Sequence, residues 1–287
     1  MTTGERRVAA PEVALSCRID GPDDGELVIA AHGFPDGPDS FDTLADALVA
    51  SGRRVARPAM RGYAPSGVPT DGRYDASALG ADLIAIADTL SPDRPALLVG
   101  HDWGAVAAYA ACALAPSRIR AVAAMAVPHL RVALPRWIHP AQLRRSWYMG
   151  FFQLRGVAER WLARDDLAAV ERLWRDWSPG YRCPPERMAA VKEGLRDRLP
   201  EVLGYYRAMV SPSRHNRVTL QKTRVPALYL HGVDDGCIGV ELTEGLERAF
   251  TAGLCVERVA DAGHFLHLER PAFVNARIVS FFDGDGG

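Results

Sequence analysis

Several things are scarce in this chain of 287 residues, and each scarcity excludes a class of protein. No apolar run approaches the ~20 residues of a membrane-spanning helix. The segment Met1 to Arg7 has no apolar stretch behind its charges, which predicts that it is not a signal peptide. Charge of one sign is not in excess: 34 Lys and Arg face 35 Asp and Glu, a formal net charge of −1. That balance predicts neither nucleic acid nor an anionic membrane as a partner. The five cysteines (Cys17, Cys112, Cys183, Cys237 and Cys255) are odd in number and without paired spacing. They argue against a disulfide framework and fit a reducing, cytoplasmic compartment. No internal repeat and no low-complexity segment is present. None of the histidines has the spacing of a metal-ligand set, so no metal and no cofactor is expected.

What remains is an ordinary globular composition, 48% apolar and 24% charged, in a length that suits one large domain or a core with an insert. Short apolar runs alternate with helical patterns. Strands are expected at Leu27 to Ala31, Arg54 to Met60, Ala96 to Val99 and Ile119 to Val127, with helices at Phe41 to Val49, at Ala78 to Leu90 and from Ala105 onward. Such alternation predicts an α/β fold with a mostly parallel sheet covered by helices on both faces. From about residue 129 to about 222 no convincing strand occurs. Five of the six tryptophans lie between Trp137 and Trp177, which suggests a helical insert with an apolar underside. The alternation then resumes: a strand at Ala227 to Leu230, a helix at Thr243 to Phe250, a strand at Cys255 to Val259 and a helix at Pro271 to Phe282. The expected division is a core of 1–128 and 223–287 with a helical cap of 129–222. The tail from Asp283 to Gly287 is expected to be disordered.

The pentapeptide Gly100-His101-Asp102-Trp103-Gly104 lies between an apolar run and a helix. Glycines two residues either side of a reactive residue, at a strand-to-helix turn, are the layout of a nucleophile elbow. The central residue is Asp, where an esterase has Ser. A bland alternative is that Asp102 is a helix N-cap. Two later loops complete an ordered set. His231-Gly232-Val233-Asp234-Asp235 follows one strand, and Asp261-Ala262-Gly263-His264-Phe265 follows the next. Of the two adjacent acids, the Gly-x-x-Asp spacing from Gly232 favours Asp235. His264 follows a glycine in a loop, whereas His267 between two leucines reads as structural, and His101 as packing or hydrogen-bonding within the elbow. Upstream, His32-Gly33-Phe34-Pro35 follows the first buried strand. A backbone N–H there could face the N–H of Trp103 and form an oxyanion hole, and the X-Pro bond at Pro35 is a candidate cis turn.

An Asp nucleophile selects a type of chemistry. A carboxylate is ionised at neutral pH, with a reference pKa of about 3.9. Its attack on an sp³ carbon leaves an alkyl ester that water can cleave, whereas the ether left by a serine has no easy exit. Asp102 therefore points to displacement at carbon, with His264, oriented by Asp235, activating water for the second step.

The sequence resembles the epoxide hydrolases of the α/β-hydrolase superfamily along nearly its whole length. The resemblance is carried by His32-Gly33-Phe34-Pro35, Arg61-Gly62-Tyr63 with Ser66, the elbow, Ser146-Trp147-Tyr148 with Phe152-Gln153, Tyr205-Tyr206-Arg207 and Gly263-His264-Phe265. The elbow is shared with haloalkane dehalogenases; the two cap tyrosine motifs are the specific part. The chain departs from the family at Gly236-Cys237-Ile238-Gly239, where a proline is common. The resemblance implies that an epoxide is opened by Asp102 while Tyr148 and Tyr206 protonate the leaving oxygen, with Tyr205 the competitor for the second role. It implies an oxyanion hole at Phe34 and Trp103, and a pocket lined by His32, Pro35, Trp147 and Phe152. The implied partners are a small apolar epoxide and water. The alternative is a haloalkane or haloacid dehalogenase, with halide held by Trp103 and a cap tryptophan such as Trp147. Neither the substrate's identity nor the oligomeric state is legible in the sequence.

Overall fold

The computed structural model describes residues 4–211 and 213–284. Eight strands form one sheet: β1 (Gly4–Ala10), β2 (Val13–Asp20), β3 (Leu27–Ala31), β4 (Arg54–Pro58), β5 (Ala96–His101), β6 (Ile119–Met125), β7 (Ala227–Gly232) and β8 (Leu254–Val259), in the spatial order β1-β2-β4-β3-β5-β6-β7-β8. From β4 to β8 every pairing is parallel; β1 pairs antiparallel with β2, and β2 antiparallel with β4. The interior strands β3 and β5 are buried at every position, so both sheet faces are covered and the strands read as continuous apolar runs.

The helices are α1 (Asp42–Ala50), α2 (Ala76–Leu90), α3 (Trp103–Leu114), α4 (Leu130–Trp137), α5 (Pro140–Arg145), α6 (Trp147–Phe151), α7 (Val157–Ala163), α8 (Ala168–Trp177), α9 (Pro185–Leu195), α10 (Leu199–Val210), α11 (Leu266–Glu269) and α12 (Pro271–Asp283). One sheet face packs α1 and α12 through Phe41, Leu44, Leu48, Val274, Ile278 and Phe282. The other packs α2 and α3, where Leu79, Leu83 and Ile86 lie against a helix rich in buried alanines. Those small side chains let α2 approach α3 closely: a Cβ on Gly80 would crowd Ala110. Helices α4 to α10 all lie between β6 and β7 in the chain. Among the described residues no helix is long and apolar enough to cross a membrane, and no disulfide forms.

Three expectations need correction. β1 and β2 were not legible, because β1 is an edge strand with only Val8 fully buried and so lacks apolar alternation. The expected helix from Thr243 to Phe250 is instead two short 3₁₀ turns, Val240–Thr243 and Leu246–Ala249. Gly245 between them has φ +75°, a left-handed conformation that interrupts any helix. Asp283, expected in a disordered tail, ends α12, and Gly284 caps it at φ +92°; residues 285–287 lie outside the described residues.

Arg61 ties the loop after β4 to α2 and α10. Its guanidinium is 1% exposed and pairs bidentately with Asp82 of α2, with Nε and Nη2 both 2.7 Å from the carboxylate. It also donates to the carbonyls of Arg73 (2.7 Å) and Ala78 (3.2 Å). The Arg61 carbonyl in turn accepts the Tyr205 hydroxyl of α10 at 2.7 Å. Arg61→Ala would leave a buried, unpaired Asp82, a change that typically costs about 3–5 kcal/mol. Chemical denaturation of the variant is expected to show a loss of that size, partly restored by Asp82→Asn in the same chain; an unchanged midpoint would refute the role.

Candidate active site

Five chain segments meet above the C-terminal edge of the sheet, where parallel α/β sheets bind their ligands. They follow β3, β5, β6, β7 and β8. Asp102 stands at the turn between β5 and α3 with φ 53° and ψ −116°, a conformation costing about 1–3 kcal/mol for a residue with a side chain. Its carbonyl accepts from Ala105 and Val106, but its side chain makes no capping bond to the helix. The N-cap explanation is thus removed, and the carboxylate is left for other partners. Gly104 is where α3 crosses β3: a Cβ there would overlap the carbonyl of Ala31. The close crossing brings the loop after β3 against the elbow, and the Phe34 N–H donates to Asp102 Oδ1 at 2.8 Å. Trp103 is the first residue of α3, so its N–H lacks an intrahelical acceptor. The Phe34–Pro35 bond is cis.

On the other side of the carboxylate, His264 Nε2 lies 3.6 Å from Asp102 Oδ2. His264 Nδ1 is 2.9 Å from Asp235 Oδ2. The remaining oxygen of Asp235 accepts the N–H groups of Cys237 (2.7 Å) and Ile238 (2.8 Å). Asp234 is exposed. The His264 loop is held from three directions. Its N–H donates to the Trp177 carbonyl at 3.1 Å, an acceptor shared with Gly236 N–H at 3.0 Å. Its carbonyl accepts from His101 Nε2 at 2.8 Å. Trp174 stacks on Phe265 with ring centroids 3.8 Å apart. His267 is buried between Phe41 and His101.

Tyr148 of α6 and Tyr206 of α10 line a cavity of about 30 Å³ together with Asp102, Trp103, Met149 and Ile238. The Tyr148 hydroxyl is 3.1 Å from Cys237 Sγ. The Tyr206 hydroxyl is buried and makes no well-formed hydrogen bond among the described residues. Two side-chain bonds to backbone carbonyls lock the helices to each other: Arg207 Nε donates to the Phe152 carbonyl (3.0 Å) and Gln153 Nε2 to the Tyr206 carbonyl (3.2 Å). Tyr205 faces away from this cavity, toward Arg61 and a larger chamber. That chamber has about 390 Å³ and shares Trp103, Val106, Leu130, Trp137 and Met209 with the inner cavity.

The remaining pocket residues named from the sequence lie elsewhere. Phe152 is fully buried behind the cavity, with its ring 5.0 Å from that of Tyr206 and 5.5 Å from that of Tyr148. His32 accepts the Met60 N–H at 3.0 Å and packs on Tyr63. Pro35 lines a separate cleft beside Arg187. Trp147 is 45% exposed, against Phe151 and Trp161, so its indole offers no second halide donor in the cavity. The sequence marked Cys237 only as part of the departure at Gly236-Cys237-Ile238-Gly239, and it did not mark the apolar neck at Leu130, Trp137 and Met209, whose residues carry no chemical signature.

The electrostatics are directional. Burial alone would lower the pKa of His264, but Asp235, the Cys237 sulfur and Asp102 outweigh it and hold it well above the ordinary imidazole value. Burial likewise opposes ionisation of Asp235, yet His264, His231 and the Ile238 N–H keep its pKa below the usual carboxylate value. Burial first, and then the nearby Cys237 for Tyr148 and Asp102 for Tyr206, push both phenols well above 10, so both stay protonated donors at neutral pH. His101, by contrast, is pushed down to about 4 by burial and by His264.

Comparison with known proteins bears on the fold and the family. Residues 26–271 match the profile of the family described as the α/β hydrolase fold. Epoxide hydrolase A of Mycobacterium tuberculosis is 31% identical, the match covering 98% of this chain and 97% of that protein. An epoxide hydrolase of Caballeronia sordidicola is 34% identical over 90% of this chain and 87% of its own. The crystal structure of epoxide hydrolase A from Mycobacterium thermoresistibile superposes with a TM-score of 0.85 at 27% identity, covering 99% of both chains.

If Asp235 sustains the His264 proton, Asp235→Asn should move the His264 titration down, toward or below 6.5, because the raising carboxylate is gone while the burial penalty remains. Nitrogen NMR titration of the histidine side chains reads this directly, and an unmoved His264 would sink the assignment.

Proposed function

The chain belongs to the α/β-hydrolase fold family and, within it, to the epoxide hydrolases, and from that premise we propose the residues that carry each step. The enzyme converts an epoxide and water to a vicinal diol through a covalent aspartyl ester. One observation supports the assignment above the rest: the Asp102 carboxylate and the two phenols of Tyr148 and Tyr206 line one small cavity, with His264 behind the carboxylate.

In the first step Asp102 Oδ2 attacks an epoxide carbon and the C–O bond of the ring breaks. The leaving oxygen would otherwise be a strongly basic alkoxide. Tyr148 or Tyr206 gives it a proton while the other donates a hydrogen bond, an acid contribution typically of about 10²–10⁴ in rate. Asp102 is now a neutral ester, and its contribution to the raised pKa of His264 disappears. The imidazolium returns its proton to the phenolate and becomes the base that the second step needs. His264 then draws a proton from water, which attacks the ester carbonyl carbon. Oδ1 becomes the oxyanion, held by the Phe34 N–H, already 2.8 Å away, and by the Trp103 N–H. The intermediate then collapses: the bond from the ester carbon to Oδ2 breaks, the diol leaves with Oδ2 and takes the proton from His264, and the proton of the new carboxyl passes to the imidazole, which restores the Asp102 carboxylate and the His264 imidazolium. Asp235 keeps the imidazole in the tautomer that presents Nε2. Each step uses groups of the chain and water alone, so no cofactor is invoked.

Residues 129–222 act as the cap that brings the phenols over the core of 1–128 and 223–287. His32 and Phe152 act as walls that hold the oxyanion loop and Tyr206, rather than as surfaces that touch substrate. The inner cavity is about the volume of one water molecule, so a substrate must part the neck. Beyond the neck the chamber is lined by Leu134, Ile138, Val210 and Leu220, which suits an epoxide with an apolar substituent. The cysteine usage fits a cytoplasmic setting.

In a single turnover in ¹⁸O water with enzyme in excess, the diol should carry no label and Asp102 should gain one ¹⁸O. A labelled first-turnover diol would mean direct attack by water. His264→Gln should accumulate ester, adding the full mass of the epoxide to the intact protein. Tyr148→Phe with Tyr206→Phe should reduce ring opening by at least about 10²-fold; retained turnover would refute the phenols' role. Met209→Ala should raise kcat/KM for epoxides with bulky aromatic substituents over that for a terminal alkyl epoxide, and an unchanged ratio would place the route to the site elsewhere.

A further inference from the structure

One buried group beside the catalytic residues neither gives nor takes a proton in the two steps above. Cys237 is 1% exposed, in the turn that joins β7 to the first 3₁₀ turn. Its sulfur, a carboxylate oxygen of Asp235 and a ring nitrogen of His264 all lie within 4.8 Å of one another. The backbone makes this convergence rigid: one oxygen of Asp235 is anchored by the N–H groups of Cys237 and Ile238, and His264 is anchored by Trp177.

One sulfur, one imidazole nitrogen and one carboxylate oxygen form a donor set for a borderline-soft divalent cation. Zinc binds such ligands at about 2.0–2.3 Å, whereas magnesium and calcium ask for oxygen shells. Two ligands on a tetrahedral ion of that size stand about 3.5 Å apart. The widest pair here must therefore close by about 1 Å, within reach of a rotation of Cys237 about its Cα–Cβ bond.

We propose that Asp235, Cys237 and His264 form an inhibitory site for one thiophilic divalent cation of the zinc class. On binding, the Cys237 thiol and the His264 imidazolium each release a proton, and sulfur, nitrogen and oxygen each donate an electron pair to the ion. The fourth position is left to water. No bond of the chain breaks and nothing is oxidised or reduced. The captured ion disables the site in two ways: it fixes the imidazole away from its role as base, and it takes Cys237 from the hydroxyl of Tyr148, 3.1 Å away. Binding itself stands on the geometry alone; inhibition rests on the role proposed above for His264.

The test compares the full chain with Cys237→Ser and with Cys237→Ala, the latter leaving no polar atom in the buried position should serine disturb folding. Cadmium titration is read by the near-ultraviolet sulfur-to-cadmium charge-transfer band, and zinc inhibition is read on epoxide turnover relative to each variant's own metal-free rate. The wild type is expected to bind one more thiolate-linked cadmium than either variant. It should also lose turnover at zinc concentrations at least ten-fold below those the variants need, with recovery on adding a chelator. Identical cadmium bands in wild type and both folded variants would overturn the proposal, because the other four cysteines are common to all three. An extra cadmium without loss of turnover would overturn the inhibitory role. A protein that turns over no epoxide, yet shows the cadmium difference, would instead count against the enzymatic reading.

Discussion

The hydrogen bond from the Phe34 N–H to Asp102 Oδ1, 2.8 Å long, is the contact on which the rest of this site depends. It joins the loop after β3 to the turn after β5, and it exists only because α3 crosses β3 at a glycine. A carboxylate in a left-handed turn would be free to rotate; this bond orients it, with one oxygen held and the other turned toward His264. The strain of the turn is offset by the packing of β5 and α3, both almost wholly buried. In the proposed mechanism the same N–H that orients the resting carboxylate stands where charge develops on the ester carbonyl later, so the donor is in place before it is needed.

Under the proposed mechanism, one imidazole serves two opposite states. In the resting site His264 lies between two carboxylates, Asp235 at 2.9 Å and Asp102 at 3.6 Å, and keeps its proton. In the proposed mechanism, alkylation of Asp102 removes one of those charges. The base is therefore produced by the chemistry of the first step. Burial magnifies this effect, because in a site from which water is largely excluded the loss of one neighbouring charge is poorly screened.

The helices between β6 and β7 are coupled to the core through backbone carbonyls as well as through side-chain pairs. Trp177 offers one carbonyl to both the acid loop and the histidine loop, and Arg61 offers another to Tyr205. Arg207 and Gln153 bind carbonyls next to the two tyrosine motifs and so set the separation of the phenols. The residues flanking each tyrosine thus have a physical purpose, which is to hold the hydroxyls over one cavity while the chamber outside keeps apolar walls.

Much of this was legible from residue order alone. The alternation of buried runs and helical patterns marked the parallel strands from β3 onward, because interior strands covered on both faces must be apolar throughout. The glycines around Asp102 marked the turn, because a Cβ there has nowhere to go. Asp235 stood out from Asp234 by spacing, and the structure has Asp235 at His264 and Asp234 in solvent. What residue order did not carry were β1, an edge strand with little to bury, and the direction in which aromatic side chains point. Trp147 and Tyr148 are neighbours in the chain, yet one faces solvent and the other the nucleophile. The sequence by itself determined the sheet, the elbow and the type of chemistry, since each follows from local sterics and from what a carboxylate can attack. Only the tertiary structure decided that Cys237 meets Tyr148, that Trp177 pins two loops and that Met209 and Trp137 form the neck, since those contacts join segments far apart in the chain and leave no periodic trace within any one of them.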